Sequence, residues 1–88
     1  MTAHRHPEDF SPSLRELVRQ AAHAPVVLRF PSESEAKRLR AQFYAYRDAL
    51  SAMGSFPESP YYPDWLHAKD IRTELEVWST RVTLTFTK

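Results

Sequence analysis

Cysteine is absent from this chain and glycine occurs once, at Gly54. The first absence removes disulfides, thiolate metal sites, iron–sulfur clusters and a cysteine nucleophile together. The second removes the phosphate-cradling loop, the dinucleotide-binding fingerprint and the nucleophile elbow, each of which needs glycine at more than one position. Neither sign of charge dominates: twelve Lys and Arg against eleven Asp and Glu leave a net +1. A strong nucleic-acid binder usually carries an overall basic excess, so any basic footprint here has to be local. There is no signal-peptide pattern and no apolar run long enough to cross a bilayer. With the missing cysteines, this leads to the expectation of a soluble, cytoplasmic protein.

What is present describes a small globular protein. The 88 residues are 42% hydrophobic and 26% charged, enough to bury one modest core and too few for two. The expected organisation is a flexible N-terminus over residues 1–10 and a single α+β domain over 11–88. A chain this short has little surplus stability, and a homodimer that buries leftover apolar surface is a further expectation.

The longest coherent signal runs from Ser32 to Gly54. Ala36, Leu39, Phe43, Tyr46, Leu50 and Met53 share one face at 100° per residue, which predicts an amphipathic helix. Ser32 and Glu35 form a capping box at its start, and Gly54 is placed for a left-handed C-terminal cap. Before it, Ser11 and Pro12 open a shorter helix with Leu14, Leu17, Val18, Ala21 and Ala22 on one face, and Val26 to Phe30 reads as a strand closed by Pro31. After it, Pro57, Pro60 and Pro63 hold an extended connection rich in aromatics, with one helical turn from Asp64 to Lys69. From Asp70 onward the period becomes two, and its phase inverts between Val77 and Val82. That inversion predicts a C-terminal hairpin with Ser79 and Thr80 at its tip, pairing Val77 with Val82, Leu75 with Leu84 and Thr73 with Phe86.

The resulting order is α-β-α-β-β, a three-stranded sheet with both helices on one face. If the first two strands are parallel neighbours, the long helix is their right-handed crossover. The alternative is a winged-helix-like arrangement, with Asp64 to Lys69 as recognition helix.

For function, no positioned acid and base pair can be assembled, so the chain is expected to be no enzyme and to use no cofactor. Thr2, Ala3 and His4 would offer Cu(II) or Ni(II) a square-planar nitrogen set if Met1 were removed, but a frayed end that is rich in His by chance is the favoured reading, and no metal is expected. Glu74 and Glu76 read as an exposed strand face balanced by Arg72. The positive signal lies on the long helix. Lys37, Arg40, Tyr44 and Arg47 form a stripe about 15 Å long that could follow a phosphate backbone, with Arg38 further round. Trp78 and Arg81 face each other at the hairpin tip, and an aromatic with arginine on a sheet is one way of holding single strands. The first expectation is therefore a nucleic-acid-binding protein, DNA foremost, using these seven residues. The second is a protein-interaction or regulatory module that uses the hairpin and Tyr61, Tyr62 and Trp65 of the proline-rich connection.

Overall fold

The computed structural model describes residues 6–88; the Thr2–Ala3–His4 motif lies outside them. Among the described residues the elements are helix α1 (Pro12–Ala21), strand β1 (Val26–Phe30), helix α2 (Glu33–Gly54), helix α3 (Tyr62–Ala68) and strands β2 (Arg72–Val77) and β3 (Val82–Thr87). The architecture is α+β, with the expected order of helix, strand, long helix and C-terminal hairpin. Ser11 caps α1 by accepting from the Leu14 amide at 3.1 Å, and Ser32 caps α2 by accepting from the Glu35 amide at 3.3 Å. Each hydroxyl satisfies an amide that has no partner within its helix.

The sheet order is β1-β3-β2 and every pairing is antiparallel, so β1 and β2 are not the parallel neighbours of the crossover expectation. The reason is legible in side-chain character. Only β3 carries an unbroken alternation of large apolar residues and threonines, which suits a strand flanked on both sides. Glu74 and Glu76 instead suit an edge, where charge discourages further pairing. The hairpin register is the predicted one, with Val77 opposite Val82, Leu75 opposite Leu84 and Thr73 opposite Phe86. On the other side of β3, Val26, Leu28 and Phe30 pair with Phe86, Leu84 and Val82, completing one apolar row.

The helices cover that row and leave the opposite face open. Phe43, Leu50, Leu84 and Phe86 are fully buried in a core that α1 joins through Leu14, Val18 and Ala21. Phe43 and Phe86 meet edge to face at 5.4 Å, which ties the middle of α2 to the central strand. Because Phe30 pairs with Val82, α2 starts at the hairpin end of the sheet. Its middle reaches the other end of the sheet, where Tyr44 and Arg47 meet Thr73 and Ile71, and its C-terminal part continues against α3.

Three local expectations are corrected. No described residue has positive φ, and Gly54 is the last residue of α2 rather than a left-handed cap. Its lack of a side chain is needed for another reason: a Cβ there would stand 2.8 Å from Tyr61 Cβ and 3.1 Å from Tyr61 backbone atoms. Ser59 fastens this crossing by donating to the Met53 carbonyl at 2.5 Å and accepting from the Tyr61 amide at 3.1 Å. The helix of the connection begins at Tyr62, not Asp64, with Pro63 in the first turn where its missing amide costs nothing. Finally, residues 7–10 belong to the packed domain: a 3-10 turn over Pro7–Asp9 delivers Phe10 into the core, 5.3 Å from the Tyr46 ring.

With α3 included, the order of helices and strands also satisfies the winged-helix alternative. However, the exposed flank of its would-be recognition helix offers Pro63, Leu66, Lys69 and Asp70, one cation balanced by one carboxylate. A single cation balanced by a carboxylate gives such a flank little with which to hold a duplex by its phosphates.

Candidate nucleic-acid interface

The basic stripe of α2 divides in the structure. Tyr44 Oη lies 2.6 Å from Thr73 Oγ1, and Arg47 Nη1 donates to the Ile71 carbonyl at 3.1 Å. The Arg47 guanidinium also stacks over Tyr44, 4.9 Å from the ring centre. These two residues fasten α2 to the start of β2, and the Tyr44 hydroxyl is engaged within the fold. Lys37 pairs with Glu33 at 2.6 Å across one turn of exposed helix. Arg38 is exposed and Arg40 half-buried. Lys37, Arg38 and Arg40 therefore stand on the helical side of the sheet, toward the hairpin end.

The hairpin tip builds a different surface. Mutual backbone bonds between Trp78 and Arg81, at 2.7 and 3.4 Å, close a two-residue turn over Ser79 and Thr80. Counting from Val77 and Val82, which point inward, Trp78 and Arg81 project onto the open face. Trp78 is 53% exposed and the Arg81 guanidinium lies 5.7 Å from its ring. The central position of β3 then adds a residue that the sequence did not single out. Arg29 of β1 is directly opposite Thr83, which is on the open face two residues along β3 from Arg81. The same face continues through Thr85 to Thr87, which is opposite Arg72. Arg81 and Arg29 thus mark one end of a threonine-lined track and Arg72 the other, about 20 Å apart by strand rise. Glu74 and Glu76 border the track on the β2 side only.

The aromatics of the connection serve mainly to cover the core. Tyr61, Tyr62 and Trp65 are all half-buried, and Tyr61 Oη donates to Glu8 at 3.0 Å, which pins the N-terminal turn. That bond to a carboxylate raises the Tyr61 pKa. The exposed apolar side chains of this region are Phe56 and Leu66, not Tyr61, Tyr62 or Trp65. Tyr46 points inward, and burial pushes its pKa up to about 12; Asp64 adds to the rise while Arg15 and Arg19 oppose it.

Among the described residues no group of three or more His, Asp or Glu side chains is placed to hold a metal ion. No described helix is long and apolar enough to cross a membrane. Compared with family models, curated proteins and solved structures, the chain matches none.

Proposed function

We propose that this chain is a non-enzymatic binding protein that holds a single strand of nucleic acid, DNA foremost, on its open sheet face. Trp78 is the stacking platform. Arg81, Arg29 and Arg72 meet phosphates along the track, and the threonine hydroxyls between them offer hydrogen bonds without selecting a base. Lys37, Arg38 and Arg40, around the hairpin end on the other side of the sheet, raise the local potential and steer the strand toward the tip. The observation that supports this most is the convergence on one uncovered face of a half-exposed tryptophan, its stacked arginine and Arg29.

Fluorescence anisotropy with a labelled single-stranded oligonucleotide at low salt tests the reading. Removing one stacking platform costs about 1–3 kcal/mol, so Trp78→Ala should weaken binding about 5- to 150-fold. Arg29→Glu combined with Arg81→Glu should abolish it. Equal affinity of wild type and Trp78→Ala would end this reading. A second reading, a protein partner, draws on Phe56 at 47% and Leu66 at 39% exposure. Under it, Phe56→Ser with Leu66→Ser would release a co-purifying partner, whereas Trp78→Ala would not.

A further inference from the structure

The two free edges of the sheet differ in a way that points to what one of them binds. The β2 edge is protected by Arg72, Glu74 and Glu76. The β1 edge, VVLRF, has one charge and neither proline nor bulge within it. An exposed apolar edge of this kind is a template for pairing unless something occupies it. Its inward residues Val26, Leu28 and Phe30 are only half-buried, and Val27 is 59% exposed. Beside it a groove of about 460 Å³ opens between α1 and Val26 and Leu28, leaving room along the edge.

We infer that a second copy of this chain occupies this edge, β1 pairing antiparallel with the partner's β1 about a two-fold axis at Leu28. Hydrogen-bonding direction sets the allowed registers. Trp78 and Arg81 exchange both backbone bonds, so the alternation along β3 turns Val82, Leu84 and Phe86 toward β1. Val27 and Arg29 then direct their amides and carbonyls outward. Only registers that match these outward residues are open. Centring on Leu28 sets Val27 opposite Arg29 of the other copy, Leu28 opposite itself and Val26 opposite Phe30. The strand's one charge lies against an aliphatic side chain, whereas centring on Arg29 would set arginine against arginine and centring on Val27 would set Arg29 against Pro25, outside the strand and without an amide to give. Self-complementarity without a like-charge contact is what selects a second copy over an unrelated strand. The product is a continuous six-stranded antiparallel sheet with one open face. The inference stands independently of nucleic-acid binding.

Sedimentation equilibrium on the wild-type chain without nucleic acid, from roughly 1 µM to 1 mM, reads the dimer, since small interfaces associate in that range. Three variants at one position test the register. Val27→Pro removes only an outward amide, leaves the intramolecular ladder whole and should give a monomer throughout. Val27→Lys, at an exposed position, should weaken association at least 10-fold through two Lys–Arg contacts. Val27→Glu should tighten it by about 3- to 10-fold through two opposite-charge cross-strand pairs. Urea denaturation of each variant confirms that it folds. A wild-type monomer at all concentrations, a dimer indifferent to the proline, or weakening by the glutamate would overturn the inference.

Discussion

Replacing Gly54 separates two explanations of the only glycine in the chain. If it were a left-handed cap, Asn would be the next best residue, and Ala would be worse because its Cβ is penalised at positive φ. In the structure the constraint is space. An added Cβ meets Tyr61 Cβ at 2.8 Å and the Tyr61 backbone at 3.1 Å, and neither can swing away as the end of a long side chain would. The crossing is also held by Ser59, which bonds to both Met53 and Tyr61. Forcing one methyl into such a contact costs about 1–3 kcal/mol. Against it stands the propensity gain of Ala over Gly, at most about 1 kcal/mol in a helix interior and less at a last residue. Gly54→Ala should therefore lose about 1–2 kcal/mol net. Gly54→Asn brings more atoms into the same gap and should lose more. Urea unfolding by circular dichroism reads this as midpoint shifts at constant slope. An alanine variant more stable than wild type, or an asparagine variant more stable than the alanine one, would refute the close-approach argument.

Tyr44→Phe should cost about 1 kcal/mol by leaving the Thr73 hydroxyl unpaired, and adding Thr73→Val should recover most of it, because two apolar groups of the same shape leave no orphan. The same Tyr44→Phe change should not alter oligonucleotide affinity, since the phenol is engaged within the fold. Tyr46 supplies a pH dependence. Its pKa is raised from 10.0 to about 12 in the folded protein, first by burial and then by Asp64, so its contribution is fully present below about pH 10. Stability should fall as pH rises from there to about 12, because the unfolded chain gives up the proton that the native one keeps. Tyr46→Phe should flatten that part of the denaturation-midpoint profile, and an unchanged profile would count against a buried phenol.

Wherever the cause is local, the sequence carries it. The caps Ser11 and Ser32 lie within a few residues of the amides they satisfy, and the inverted phase between Val77 and Val82 fixes the hairpin register without any distant partner. Strand order is different, because it depends on which edges meet after the helices have folded back. The signal for it, the unbroken apolar and threonine alternation of β3 against the acidic β2, requires comparing strands with each other. The candidate site divides in the same way. Trp78 and Arg81 directly flank the two-residue turn that joins them, so their pairing could be read directly. Arg29 reaches their face only because β3 is central. Tyr44 and Arg47 have suitable spacing for a contact stripe, and nothing local reveals that Thr73 and Ile71, more than twenty residues away, already engage them. Phe10 escaped notice because a polar, proline-containing start looks like a loose end until Tyr46 is seen beside it.

The central claim is that the open sheet face holds a single strand through Trp78 and a few arginines. The salt dependence of binding to a single-stranded oligonucleotide, measured on wild type and on Arg29→Glu with Arg81→Glu, tests it most directly. Three phosphate contacts on a single strand predict a slope of log K against log salt of about −2 for wild type. The double variant should show no measurable association at the same low salt. No wild-type binding at low salt, or binding that neither salt nor the two charge reversals weaken, would contradict the account.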